Sequence, residues 1–124
     1  MKAGIGIIAV VGVLASSGVL ADGNKFIVEC KQAVAAIDAP EWPQGSSRIG
    51  FGHCLGVVEG VMNTMFYMNK RLDPEVQVCW PEESLTNAQA ARIVVKYLDD
   101  NPALLTQDST VLTIKAFMQA FPCK

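Results

Sequence analysis

The chain has one histidine, and none of its four cysteines stands within two or three residues of another. Zinc sites are built from closely spaced Cys and His pairs, so a metal centre has little to be made from here. A glycine-rich phosphate loop is missing as well. So is any basic run: ten Lys and Arg face twelve Asp and Glu, for a net charge of −2, which gives nucleic acid no electrostatic footing. No nucleophile has a recognisable base beside it. Glu82-Glu83 and Asp99-Asp100 are acidic neighbours, but adjacent residues on a helix point apart and do not cooperate as an acid–base pair. These shortages argue against an enzyme and indicate neither a metal nor a cofactor.

What is present begins at the N-terminus. Lys2 is followed by an unbroken apolar run through Leu14 and then by Ala-Ser-Ser-Gly-Val-Leu-Ala21. A charged start, an apolar middle and small residues at Val19 and Ala21 are the parts of a signal peptide, with cleavage expected before Asp22. An uncleaved anchor is the rival reading, since the run approaches the length of a bilayer span. No cysteine follows the expected cut, so a lipid anchor is not indicated. The division is therefore residues 1–21 as signal peptide and 22–124 as one helical domain, exported and free of the membrane after cleavage. Removing Lys2 from the ten basic side chains leaves nine against twelve acidic ones.

All four cysteines, Cys30, Cys54, Cys79 and Cys123, lie in that domain. An even number in an exported chain too small for a generous core reads as two disulfides. The apolar spacing predicts four helices. The first spans Lys25 to Asp38, with Phe26, Ile27, Cys30, Val34 and Ile37 inward and Asn24 as its N-cap, and Pro40 and Pro43 end it. In the loop that follows, Trp42 is expected to cap the core, with a partner contact as the alternative. The second helix starts after Ser46-Ser47 and runs to about Asn69, burying Phe51, Cys54, Leu55, Val58, Met62 and Met65. The third opens on a capping box, Thr86 to Gln89, and buries Ala90, Ile93, Val94, Tyr97 and Leu98. The fourth starts at Asn101-Pro102, with a kink near Asp108, and buries Leu104, Val111, Ile114, Met118 and Phe121. Short links suggest an up-and-down bundle. Antiparallel packing then brings Cys30 level with Cys54 and joins the ends carrying Cys79 and Cys123, which gives the pairing Cys30–Cys54 and Cys79–Cys123.

Within the second helix Gly52, Gly56 and Gly60 recur every four residues. Each costs about 1 kcal/mol against Ala in a helix interior, so three in register suggest a groove for close helix packing. A transmembrane helix pair is the alternative, and Arg48, His53, Glu59 and Asn63 oppose it. His53 itself reads as a satisfied polar residue rather than a catalytic one.

Three patterns together resemble a known family. Phe51-Gly-His-Cys-Leu-Gly56-Val-Val-Glu-Gly60-Val, then Cys79-Trp-Pro81, then Gln89 through Tyr97-Leu98 with Asn101-Pro102 and the terminal Ala120-Phe-Pro-Cys123, look like the Rap/Tai family of type VI secretion immunity proteins. The resemblance covers about Cys30 to Cys123. It implies an all-α, disulfide-stapled periplasmic protein, often a homodimer, that binds and occludes a peptidoglycan amidase delivered by neighbouring bacteria. The cysteine pairs, the glycine groove and the Phe-Pro-Cys end would be structural. This chain departs from the pattern at His53, where the family commonly has an aromatic, and at Asn63, where it has an acidic residue. The residues offered for effector contact are Glu82, Glu83, Asp99, Asp100 and Asn101, at the two ends of the third helix. The alternatives are a periplasmic acid-stress chaperone of the HdeA type and an envelope interaction module.

Overall fold

The computed structural model describes residues 22–124, and the expected signal peptide lies outside them. Four α-helices are found there: α1 (Gly23–Asp38), α2 (Arg48–Met68), α3 (Asn87–Asp100) and α4 (Ser109–Ala120). Each begins where a side chain can satisfy the free amides of a first turn. Asp22 caps α1, two residues earlier than Asn24 was expected to, by accepting from Asn24 N at 2.8 Å. Ser47 caps α2 through Gly50 N at 3.0 Å. The capping box of α3 is complete, with Gln89 N donating to Thr86 Oγ1 at 3.2 Å and Thr86 N donating to Gln89 Oε1 at 2.9 Å.

The fourth helix differs from the expectation. Asn101-Pro102 opens only a short 3-10 turn, Pro102–Leu104, and α4 starts afresh after Asp108, whose carboxylate accepts from Thr110 N at 2.8 Å. The kink is a break because Asp108 is a strong cap in its own right. The buried face of α4 is also turned from the expected one, to Ser109, Leu112, Thr113, Ala116 and Phe117, while Val111 is exposed. Thr113 is tolerated inside because its hydroxyl donates to Ser109 O at 2.7 Å, so no polar group goes unpaired.

α1 packs against α2 and α3, and α4 packs against the same two helices, so α2 and α3 form the middle and α1 and α4 the flanks. A simple up-and-down ring would instead set α1 beside α4. Lys31 pairs with Asp99 and Asp38 with Arg92, so advancing along α1 means retreating along α3, and those two helices are antiparallel. The core among the four helices holds Phe26, Cys30, Ala33, Cys54, Val58, Val94, Leu98, Leu112 and Phe117.

Both disulfides form as expected. Cys30–Cys54 has a Cα–Cα distance of 5.1 Å and is fully buried. Cys79–Cys123, at 5.0 Å, lies on the surface. In the chain-entropy account they contribute about 3.5 and about 4 kcal/mol through the unfolded state. The second belongs to an extended strap after the 3-10 turn Pro74–Val76. There Asn69 grips Val78 like a strand neighbour, accepting from its N at 2.9 Å and donating to its O at 2.8 Å. Cys79 N donates to Phe121 O at 3.0 Å.

The glycine stripe packs against no other helix among the described residues. Built Cβ atoms at Gly52, Gly56 and Gly60 meet nothing within 4 Å. The cause is angular: at 100° per residue each of these glycines lies about 200° around the helix from Cys54 or Val58, and α2 buries one face. Close approach occurs instead at Gly23, where a Cβ would stand 2.6 Å from Leu105 O and 2.5 Å from Leu112 Cδ1. Gly23 N and Asn24 N are already bonded to Gln107 O and Leu105 O, so that carbonyl has no room to retreat. Trp42 folds back as expected, edge-on to Phe51 at 5.3 Å and beneath the Arg48 guanidinium at 4.7 Å.

Thermal and urea melts of two variants should therefore move oppositely. Gly56→Ala should raise stability by up to about 1 kcal/mol through helix propensity, and Gly23→Ala should lower it by about 1–3 kcal/mol through overpacking. Under native conditions, alkylation mapping at rising dithiothreitol should find Cys79–Cys123 opened first, with Cys30–Cys54 retained until the fold is lost; joint loss would contradict the burial difference. Burial raises the Tyr97 phenol above its ordinary value. The unfolded chain then loses its proton more readily than the folded one, so the associated stability is present below about pH 10 and is lost as pH climbs through the raised value. Tyr97→Phe should flatten that alkaline decline in a pH series of melts.

Candidate functional site

The residues offered for effector contact stand, as their place in the sequence implies, toward the two ends of α3. That helix has 14 residues, which places its ends about 20 Å apart. At the far end the side chains are engaged. Asp99 Oδ1 meets Lys31 Nζ at 2.6 Å and Asp100 Oδ2 meets Lys96 Nζ at 2.7 Å. Asn101 Nδ2 donates to Tyr97 O at 2.8 Å, closing the helix. The Asp100 contact raises the Lys96 pKa, although solvent screening leaves such an exposed pair little influence on stability. Glu82 and Glu83, before the start of α3, are exposed and have no ion pair among the described residues.

His53 is satisfied rather than poised. Its Nδ1 donates to Glu29 Oε2 at 2.5 Å, and Phe26 meets the ring edge-on at 5.9 Å. Glu29 is buried against α2 and also lies 3.6 Å from Lys25. The pair ties α1 to α2 beside the Cys30–Cys54 bond. All four cysteines are in disulfides, which leaves no thiol, and among the described residues no group of three His, Cys, Asp or Glu side chains is placed to hold a metal.

The unengaged surface is at the other end of α2. A hollow of roughly 270 Å³ opens between its last turns and the segment after Trp80, lined in part by Met62, Asn63, Phe66, Trp80, Glu82 and Glu83. Across Trp80 and Phe66 a second hollow of roughly 700 Å³ carries Lys70 and Arg71. Between them stands an aromatic ridge. Phe66 is 58% exposed and Tyr67 80%, and their rings meet edge-on at 5.5 Å. Trp80 supports the ridge from below, 6.4 Å from Phe66, 5.4 Å from Phe117 and 5.9 Å from Phe121. It is held there by the strap, whose anchors are the Asn69–Val78 bonds and the Cys79–Cys123 link. Its Nε1 is buried and donates to no acceptor among the described residues.

Sequence reasoning found Glu82 and Glu83 but passed over Phe66, Tyr67 and Trp80. A signal existed. After Met62 and Met65 complete the buried stripe, Phe66, Tyr67 and Met68 continue apolar around the helix, more than one face can bury.

No curated protein and no solved structure is significantly similar to the chain. A family model for Rap1a immunity proteins matches residues 22–123, from the N-cap of α1 to the last cysteine. That match spans the four helices and both disulfides and agrees with the resemblance carried by the cysteine, glycine and Phe-Pro-Cys patterns. The chain belongs to the family of Rap1a immunity proteins.

Proposed function

We propose that this protein is a type VI immunity protein that protects its own cell by binding a delivered peptidoglycan amidase and occluding its cleft. The observation that carries this reading is the family match over residues 22–123. The charge-balanced helical surface and the engagement of the chemistry-bearing side chains fit a binder. His53 is committed to Glu29 and the cysteines to each other, so protection works by steric block, with no bond made or broken in the effector. The working compartment is the periplasm. Export through residues 1–21 delivers the chain to an oxidising space where both disulfides can form, and no helix among the described residues is long and apolar enough to cross a membrane. The family resemblance further suggests a homodimer as the working form.

Peptidoglycan-cleaving type VI amidases directed to the periplasm lyse the producing cell, and co-expression of the full chain should suppress lysis by its cognate amidase. A chain without residues 2–21 should not protect. Purified protein should inhibit that amidase at a one-to-one subunit ratio, and His53→Ala should inhibit as well as wild type, since no step passes through the imidazole. Failure to protect against any type VI amidase would reject the immunity reading. Loss of inhibition in His53→Ala at unchanged stability would reject a purely steric mechanism.

A further inference from the structure

We infer that the Phe66–Tyr67 ridge and its two charged flanks form the surface that docks the amidase, with the ridge entering the enzyme's cleft. This rests on the immunity reading above and specifies where and how the effector is held.

The first ground is anatomy. Protein interfaces centre on aromatic anchors surrounded by polar rims, and here two exposed rings stand between Glu82-Glu83 on one side and Lys70-Arg71 on the other. The second is support. Tyr67 projects from a helix, and Phe66 rests on Trp80, itself packed on Phe117 and Phe121 and clamped by the strap. An anchor fixed before binding loses little conformational freedom on docking. Third, these side chains serve the fold little: Phe66 and Tyr67 are mostly in solvent, and neither glutamate has an ionic partner among the described residues.

Size and charge select the occupant. Two rings at these exposures offer on the order of 300 Å², well short of the roughly 800 Å² per partner of a stable interface. A flat contact on the ridge would fall short, whereas a cleft whose walls close over both hollows covers the flanks as well. The charge order along the patch, acidic then aromatic then basic, calls for a cleft with basic groups on one lip and acidic groups on the other. Such an arrangement steers association and fixes register. Asp99 and Asp100, engaged with lysines at the far end of α3, are outside this surface.

The test uses the full mature protein and a type VI peptidoglycan amidase that the wild type inhibits. Tyr67→Ser should raise the inhibition constant about thirty-fold, the loss expected of a central aromatic anchor, with melting temperature and sedimentation unchanged. Glu82→Lys with Glu83→Lys should slow association and reduce its dependence on salt. Asp99→Asn with Asp100→Asn should leave inhibition as it was. In a Trp42→Phe background, Trp80 emission should shift when the amidase binds. Inhibition unchanged in both the ridge and glutamate variants would overturn the site while leaving the immunity reading intact. A changed oligomeric state in Tyr67→Ser would overturn it by assigning the ridge to self-association. If the wild type inhibits no amidase, the immunity reading falls and the docking site falls with it.

Discussion

The buried bond between Cys30 and Cys54 is the constraint on which the rest of the domain depends. A domain of about a hundred residues buries too small a fraction of its surface to be comfortably stable, and here a fully buried position is occupied by a cross-link between the two longest helices. It fixes α1 level with α2. That alignment sets His53 against Glu29 and Phe26, and α1 meets the neighbouring α3 along its adjacent face, where Lys31 pairs with Asp99 and Asp38 with Arg92. Exposed ion pairs of this kind are worth at most about 1 kcal/mol each, so they adjust the contact rather than create it. Cohesion comes from the apolar layer between the helices and from the cross-link at its centre.

Helix length then explains the surface. α2 has 21 residues, whereas α1 has 16, α3 has 14 and α4 has 12. Its last turns overhang the helices that cover the rest of it, and the apolar side chains there outnumber the partners available to bury them. The strap from Gln77 to Pro81 covers one side, through Val78 and Trp80, and is itself secured by the second disulfide and by the Asn69 amide. The other side stays open as the ridge of Phe66 and Tyr67. The same two cross-links that hold a small fold together thus present a pre-shaped aromatic edge.

Much of the fold was legible because its signals are local. Thr86 and Gln89 announce α3, Ser47 announces α2, and the period of Cys54, Val58, Met62 and Met65 identifies a buried stripe without reference to other helices. The cysteine pairing followed from where the turns fall. Three features were not legible, each for a physical reason. The face of α4 was misjudged because Ser109 and Thr113 are buried polar residues whose inward position depends on a bond between them. The glycines of α2 suggested a packing groove because spacing shows that a stripe exists and not which side of it faces a neighbour. Gly23 gave no sign of being the tightest glycine, since its crowding arises from Leu105 and Leu112, far along the chain. At the site, Glu82 and Glu83 were visible as unpaired charge, while Asp99 and Asp100 looked equally free until the fold supplied Lys31 and set Lys96 one turn away. Trp80 depends on a contact with the C-terminal Phe121, which no local pattern encodes.

Amide hydrogen exchange of the mature protein, alone and saturated with an amidase that it inhibits, tests this account most directly. Occlusion through the overhanging end of α2 predicts new protection in residues 66–72 and 80–85, with exchange at the outer edge of α3 and at residues 99–104 unchanged. Protection confined to the α3 edge and residues 99–104, with residues 66–72 and 80–85 exchanging as in the free protein, would contradict it.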